Sequence, residues 1–140
     1  DMWNGMPGMA HSGAARAGMV NFTKTAAIEW APQGVRVNAV APGWIASSGL
    51  DTYDDTIKAM LPMLKKAVPL KRLGSEAEVS AAICFLLSQA AAFITGSTLR
   101  VDGGAPLAPH IWPMPDHERS ETFNPFHRSV APKALEDKPS

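Results

Sequence analysis

The sequence has 140 residues, of which 46% are hydrophobic and 19% are charged, and this composition is typical of one globular domain. Thirteen Lys and Arg residues balance thirteen Asp and Glu residues, so charge favours neither nucleic acid nor a membrane surface as a partner. No apolar run reaches the roughly 18 residues that span a bilayer. We therefore expect no nucleic-acid and no membrane partner.

The start of the chain and its cysteine content bear on localisation. Residues 1–5 show neither a basic segment nor an apolar run, so no signal peptide is expected, and without an initiator Met the sequence reads as a chain entered midway. The single cysteine, Cys84, lies in the apolar run 81–87 and cannot form an internal disulfide. We expect Cys84 to be a small buried residue and the protein to be cytoplasmic.

Residues 10–31 predict a long helix, because they lack proline and carry apolar residues at helical spacing. Ser12 is a candidate for the cap at its start, and Pro32 with Gly34 is expected to end it. One face carries the apolar residues Ala15, Met19, Phe22, Ala26 and Trp30. A second face carries the small residues Gly13, Ala14, Ala17 and Gly18. Two such faces predict a helix that is packed on both sides.

A short strand is predicted over residues 35–41, stopped by Pro42-Gly43. Residues 51–66 then predict one helix interrupted at Pro62. One side of this helix carries the apolar residues Met60, Leu61, Met63 and Leu64. The other side carries Lys58, Lys65 and Lys66. Two interpretations remain open for this segment, a mobile flap over an apolar ligand and an ordinary surface helix.

Ser75 followed by Glu78 matches the spacing of a capping box, which predicts a helix from Glu76 to about Ser88. Residues 98–101 predict a second strand. Strand, helix and strand in this order indicate an α/β fold with two parallel strands and a right-handed crossover. Two parallel strands with their helices do not form a stable domain, so the apolar helices imply packing partners outside this chain.

The last part of the chain, residues 105–140, contains seven prolines and few apolar runs. It is expected to wrap over another surface or to be loosely ordered. We therefore divide the chain into a partial domain, residues 1–104, and a proline-rich tail, residues 105–140. Internal repeats are absent.

Several motifs, in order and at family spacing, resemble the short-chain dehydrogenase/reductase family over about residues 8–104. They are Asn38-Ala39-Val40-Ala41-Pro42-Gly43 with Ile45, Arg72-Leu73-Gly74 with Glu78-Val79 and Phe85-Leu86, and Thr95-Gly96 with Val101-Asp102-Gly103-Gly104. The resemblance implies the last two strands, with their helices, of a Rossmann-type doubly wound parallel sheet. It also implies an enzyme that uses NAD or NADP and is a homo-oligomer, a tetramer, when full-length.

The family's glycine-rich dinucleotide turn is not found in this sequence. The 140-residue chain alone is therefore not expected to bind a dinucleotide well. Pro42-Gly43 lies where a predicted strand ends, and ligands of doubly wound sheets bind beyond strand ends. The resemblance implies that Ile45 and Ser47 contact the nicotinamide carboxamide and a nearby phosphate, with Pro42 and Gly43 beside them. The competing interpretation of Pro42-Gly43 is a simple strand-terminating turn.

The helix that carries the family's Tyr-x-x-x-Lys pair departs from the pattern, because alignment on Ala17-Gly18 places Ser12 at the Tyr position and Arg16 at the Lys position. A serine hydroxyl is a weaker acid than a phenol, and arginine keeps its proton. Three explanations remain open. His11 acts as the acid/base; the acid lies upstream of this chain; or Ser12 and Arg16 donate to an oxyanion. Arg16 would also hold the cofactor ribose.

The segment 11–18 resembles two subgroups, the peroxisomal-type trans-2-enoyl-CoA reductases and the bacterial citronellol/citronellal dehydrogenases. Trp112-Pro113, Asn124 and residues 126–128 of the tail resemble the second subgroup. We therefore expect oxidation or reduction of a small apolar alcohol or aldehyde such as citronellol. The alternatives are 2-enoyl-CoA or 2,4-dienoyl-CoA reduction and, in another class, a non-catalytic chain with oligomerisation surfaces only.

The tail histidines and the single tyrosine are further candidates for site residues. Histidines 110, 117 and 127 have no ligand spacing, so no metal site is expected. The only tyrosine, Tyr53, lies in residues 51–66, which we name the flap segment. It could reach a substrate, but a packing role is favoured.

Overall fold

The computed structural model describes residues 7–108, 112–125 and 132–135. Helix α1 covers Ala10–Glu29, as the alanine-rich sequence predicts. The prediction that Ser12 caps this helix is wrong, because the N-cap is Met9 and Ser12 lies within the first turn. The helix ends just before Pro32, which lies in a 3-10 turn, Ala31–Gln33, and Gly34 closes that turn with a φ of 75°. A left-handed φ is a conformation that glycine adopts without steric cost.

The burial of α1 is confined to its last turns. Thr23, Ala26 and Ala27 are buried, and Gly96 approaches Ala27 so closely that a Cβ on Gly96 would lie 3.4 Å from the Ala27 Cβ. The remaining large apolar residues of the predicted face, with Met19, Phe22 and Trp30 among them, are exposed. The described residues cover only one stretch of α1. The other faces were expected to pack against partners outside this chain, so a helix packed on both sides stays a prediction.

Strand β1, Ala39–Pro42, and strand β4, Thr98–Val101, form one two-stranded sheet. The hydrogen bonds at their start join Gly96 N–H to the Val37 carbonyl and Ala39 N–H to the Ser97 carbonyl, so both segments run in the same direction. The predicted start of β1 at residue 35 is wrong. Before Ala39 the Asn38 carboxamide replaces the regular ladder, since it donates to the Ile94 carbonyl and accepts from Ser97 N–H.

A second sheet was missed by the sequence reasoning, because its strands have two residues each and show no alternation. Strand β2, Ile45–Ala46, pairs in parallel with strand β3, Gly74–Ser75. Ile45 lies opposite Gly74, and Ala46 lies opposite Ser75.

The flap segment differs from its prediction as a single helix. It consists of a 3-10 turn, Ser48–Thr52, helix α2, Asp55–Ala59, and helix α3, Leu61–Ala67. The break falls at Met60 and not at Pro62, because proline is tolerated in the first turn of a helix, where its missing N–H has no partner to lose. Asp54 caps α2 by accepting a hydrogen bond from Ile57 N–H.

Helix α4 covers Glu76–Leu87, and the predicted capping box is confirmed. The Ser75 hydroxyl accepts from Glu78 N–H at 3.1 Å, and the Glu78 carboxylate accepts from Ser75 N–H at 2.8 Å. Ala77 and Leu86 are buried, whereas Leu87 is 78% exposed. The prediction that Cys84 is buried is wrong, because that thiol lies on the exposed part of the helix.

Contacts between residues divide the chain into two compact units, residues 1–41 with 81–101 and residues 42–80 with 102–140. In the second unit the turn after β4 packs on the segment that follows α3, since a Cβ on Gly103 would lie 2.6 Å from Val68 Cγ1. The described tail residues 112–125 form no helix or strand. The division at residue 104 stays a prediction. Residues 110 and 126–128, on which two predictions rest, lie outside the described residues.

No helix in the described part of the chain combines the length and the apolar character that crossing a membrane requires. The architecture is α/β, with two small sheets and helices between their strands.

Candidate active site

Ser12 and Arg16 share one face of α1, as their spacing predicts. Arg16 Nε donates a hydrogen bond to Ser12 Oγ at 3.1 Å. Because the guanidinium occupies an acceptor position of the hydroxyl oxygen, the Ser12 proton is left to point elsewhere. His11 is exposed on the same helix, about 100° around the axis from Ser12. All three belong to the first unit.

The predicted nicotinamide residues Pro42, Gly43, Ile45 and Ser47 belong to the second unit. Pro42 ends β1, and Gly43 lies directly against the backbone of Asp102. A Cβ on Gly43 would lie 2.7 Å from Asp102 Cα and 2.8 Å from Asp102 Cβ. A glycine at this position would let a flat ring approach the backbone closely. The structure adds a second requirement, which is the close contact of two backbone segments.

The direction of the Ile45 backbone groups follows from the pairing of β2 with β3. Gly74 N–H donates to the Trp44 carbonyl at 2.9 Å, so Trp44 and Ala46 direct their backbone groups towards β3. Successive residues of a strand alternate, and the N–H and C=O of Ile45 therefore point to the opposite side. A carboxamide needs one donor and one acceptor, which these two groups supply.

Ser47 follows in an extended conformation, with a φ of −119° and a ψ of 163°. Its carbonyl accepts from Leu50 N–H at 2.9 Å, and its side chain makes no capping hydrogen bond to the 3-10 turn that begins at Ser48. The hydroxyl is therefore not committed to the local backbone. Gly43, Ile45 and Ser47 together fit a nicotinamide group, since they offer close approach, a donor and acceptor pair, and a hydroxyl.

A group of hydrogen-bonded residues, which the sequence reasoning connected only in part, supports this segment. We name it the Glu78 cluster, and it consists of Arg72, Ser75, Glu78, Ser120 and Phe123. Arg72 binds the Glu78 carboxylate with both terminal nitrogens, at 2.9 Å and 2.6 Å. Arg72 Nε donates to Ser120 Oγ at 2.9 Å, and the Ser75 hydroxyl donates to the Phe123 carbonyl at 2.7 Å. The signal in the sequence was the capping-box spacing, which predicts only the part within α4.

The Glu78 carboxylate is held in its charged form. Partial burial by itself would raise its pKa, but the hydrogen bonds from Arg72, with those from the backbone N–H groups of Ser75 and Phe123, outweigh burial and lower the pKa from 4.5 to about 2. The side chains of Arg72 and Glu78 are only 20% and 17% exposed, so solvent screens this ion pair incompletely. The cluster is therefore a fixed electrostatic support of β3.

In the described residues, no three His, Cys, Asp or Glu side chains group closely enough to hold a metal ion. His117 has another role, since its Nε2 lies 2.9 Å from the Pro69 carbonyl oxygen. Tyr53 is exposed at the end of the 3-10 turn before α2. The packing role favoured for Tyr53 is therefore not seen within this chain.

Gly43→Ala is expected to destabilise the full-length protein by about 1–3 kcal/mol, because the added methyl group overlaps backbone atoms that cannot turn away. Gly49→Ala is the matched control in the same loop, since its Cβ would meet only the Ser47 hydroxyl, at 3.3 Å. Urea denaturation of both variants measures the difference. Equal losses of stability would contradict the close contact with Asp102.

Glu78→Gln is expected to lower the free energy of unfolding by about 2 kcal/mol at pH 7, because the bonds to Arg72 lose their charge. The pKa of Glu78 is lowered in the folded state, so its contribution is complete above pH 4.5 and is lost as the pH falls towards 2. The deficit of the variant should therefore shrink over that range in urea titrations. Glu76→Gln, at an exposed carboxylate in the same helical turn, is the control. A deficit that stays constant with pH would contradict this assignment.

The chain is similar to a known family and to several of its members. The family profile described as "Enoyl-(Acyl carrier protein) reductase" matches residues 3–106. A 3-oxoacyl-[acyl-carrier-protein] reductase, FabG of Staphylococcus epidermidis, is 42% identical over 100 residues, which are 71% of this chain and 40% of the relative. A probable 2,4-dienoyl-CoA reductase of Bacillus subtilis is 41% identical over 110 residues, which are 77% of this chain and 43% of the relative.

Among solved structures, the citronellol catabolism dehydrogenase AtuB of Pseudomonas aeruginosa is 61% identical, with a TM-score of 0.60. The match covers 76% of this chain and 39% of that one. The chain spans about two fifths of the length of the curated relatives it matches. The expected fold, part of a Rossmann-type doubly wound sheet, is confirmed by these neighbours. The chain belongs to the short-chain dehydrogenase/reductase family of nicotinamide-dependent oxidoreductases.

Proposed function

We propose that this chain forms the carboxyl-terminal part of an NAD- or NADP-dependent oxidoreductase that acts on a small apolar alcohol or aldehyde such as citronellol. The observation that carries the proposal is the 61% identity with the Pseudomonas aeruginosa citronellol catabolism dehydrogenase over 76% of this chain. Because the chain spans two fifths of its relatives, the activity is proposed for the full-length protein. We further propose that this protein is a cytoplasmic homo-tetramer.

Segment 42–47 is proposed to hold the nicotinamide. Pro42 ends the strand, Gly43 keeps the backbone free of a side chain, Ile45 offers an N–H and a carbonyl to the carboxamide, and Ser47 offers its hydroxyl to a phosphate. The bound nicotinamide would accept or supply hydride at its C4 atom. The residues of this segment would orient it and exclude water from one side.

Ser12 and Arg16 are proposed to act on the substrate oxygen. Arg16 fixes the Ser12 oxygen at 3.1 Å, so the hydroxyl proton can be donated to a carbonyl oxygen or to a developing oxyanion. Arg16 keeps its positive charge throughout and would also hold the cofactor ribose. Neither residue accepts a proton readily, so alcohol oxidation needs a base. His11, or a residue upstream of this chain, is proposed to fill that role.

An apolar substrate is supported by the surface of the flap segment. Ile57, Met60 and Met63 are exposed, the last by 57%, although each is a residue that normally packs inside. Methionine side chains adapt to irregular apolar ligands. We propose that α2 and α3 present these side chains to the substrate.

The alternative within the enzyme class is reduction of a 2-enoyl-CoA or 2,4-dienoyl-CoA. It is supported by the Bacillus subtilis relative, a probable 2,4-dienoyl-CoA reductase, and by the chemistry of Ser12 and Arg16, because an enolate oxygen needs donors more than a strong base. The alternative of another class is a non-catalytic chain with oligomerisation surfaces only. The exposed apolar faces of α1 and α4 support that alternative.

Turnover assays of the full-length protein separate the candidates. We expect NAD or NADP reduction with citronellol and little oxidation of NADH or NADPH with enoyl-CoA or dienoyl-CoA. Turnover of the CoA thioesters alone would overturn the terpenoid assignment. Absence of all turnover in the full-length protein would favour the non-catalytic alternative. Calorimetric titration of the 140-residue chain with NADH is expected to show weak binding.

Ser12→Ala is expected to lower kcat by about 10²-fold in the full-length enzyme, because the hydroxyl donor to the substrate oxygen is lost. Thr25→Ala removes an exposed hydroxyl farther along the same helix and should leave kcat unchanged. Steady-state kinetics with saturating cofactor measure both. An unchanged kcat in Ser12→Ala would exclude Ser12 from the chemistry and leave the acid/base role to His11 or to an upstream residue.

A further inference from the structure

The described tail, residues 112–125, is tied to the second unit by side-chain and backbone hydrogen bonds. His117 contacts the Pro69 carbonyl, and Ser120 accepts from Arg72. Phe123 is bound through both of its backbone groups, since its carbonyl accepts from the Ser75 hydroxyl and its N–H donates to Glu78 Oε1 at 3.3 Å. The tail therefore reaches Arg72, Ser75 and Glu78 through the Ser120 hydroxyl and through the backbone groups of Phe123.

The same cluster reaches the proposed nicotinamide segment. Glu78 Oε2 accepts from Ser75 N–H in β3, and Ser75 lies opposite Ala46 in β2. Ala46 stands between Ile45 and Ser47, the two residues proposed to contact the nicotinamide. The Phe123 backbone is thus linked to Ser75 both directly, through its carbonyl, and through Glu78, and Ser75 in turn pairs with Ala46.

Strands of two residues are too short to hold their own alignment, because the few ladder hydrogen bonds do not offset the entropy of ordering them. β2 and β3 therefore need support from outside the ladder. Ser75, which is 8% exposed, receives that support on its N–H from Glu78 and on its hydroxyl from Glu78 N–H and the Phe123 carbonyl. A side-chain contact contributes as well, since a Cβ on Gly74 would lie 2.7 Å from Ile45 Cδ1.

We propose that the tail positions the nicotinamide segment, residues 42–47. Phe123 of the tail acts with Arg72 and Glu78, and these three are positioning residues. This inference rests on the proposed function for the identity of the ligand. The tail acts by ordering residues 44–47 and not by touching the substrate or the cofactor. Its loss should therefore weaken dinucleotide binding and leave the chemical step, at saturating cofactor, close to its original rate.

Phe123→Pro in the full-length protein tests this proposal, because proline removes the N–H that binds Glu78. Phe123→Ala is the matched control, since it retains that N–H and the side chain of Phe123 is exposed. A deletion that ends the chain after Ala108 removes residues 109–140, and with them His117, Ser120 and Phe123. Thermal melts of each variant identify any that fail to fold.

Three readouts are compared: hydrogen exchange of the amides in residues 44–47 and 74–75, the Kd for NADH and NADPH, and kcat at saturating cofactor. In Phe123→Pro and in the deletion, exchange should become faster and the Kd should rise by about tenfold, the loss typical of one hydrogen bond to a charged group. The kcat should change by less than about twofold, and Phe123→Ala should resemble the original protein in all three measurements.

Unchanged exchange in both Phe123→Pro and the deletion would overturn the proposal. Faster exchange with an unchanged Kd would also overturn it, because the tail would then order a segment that does not position the cofactor. An original protein that binds neither dinucleotide would refute the proposed function instead, and the exchange comparison would still decide whether the tail orders residues 44–47.

Discussion

The second unit depends on one carboxylate. Glu78 accepts hydrogen bonds from Arg72, from Ser75 N–H and from Phe123 N–H, and these partners come from the loop before β3, from β3 itself and from the tail. A charge that is mostly removed from water is stable only if its hydrogen-bonding capacity is filled, and here four donor atoms fill it. The loop, the short sheet and the tail are held in one arrangement because each supplies part of that set.

The residues proposed to meet the nicotinamide belong to the same unit as this carboxylate. The pairing of β2 with β3 turns the Ile45 backbone groups away from β3. The contact of Gly43 with Asp102 fixes the turn between β1 and β2. The first unit supplies the Ser12–Arg16 pair on α1, with the arginine donating to the serine oxygen. The proposed contribution of this helix is the donation of hydrogen bonds by Ser12 and Arg16, at the positions where the family pattern has Tyr and Lys. Such a role suits both carbonyl and enolate chemistry.

Local patterns in the sequence predicted local structure well. The Ser75–Glu78 spacing predicted the start of α4, and the proline-free alanine-rich run predicted α1 to within two residues of its observed end. Ser12 failed as a cap because the two residues before it, Ala10 and His11, are already helical, and residue type alone does not locate the first turn. Arg72, Ser120 and Phe123 could not be connected from the sequence, because their contacts span about 45 to 48 positions and involve backbone groups that every residue possesses. The exposed faces of α1 were predicted to be packed, and nothing among the described residues covers them.

A crystal structure of the full-length protein with NADH bound tests the central claim most directly, namely that residues 42–47 hold the nicotinamide. We expect the carboxamide to lie within hydrogen-bonding distance, about 3 Å, of the Ile45 N–H or carbonyl, and the ring to lie beside Gly43. A nicotinamide bound away from Gly43, Ile45 and Ser47 would contradict it.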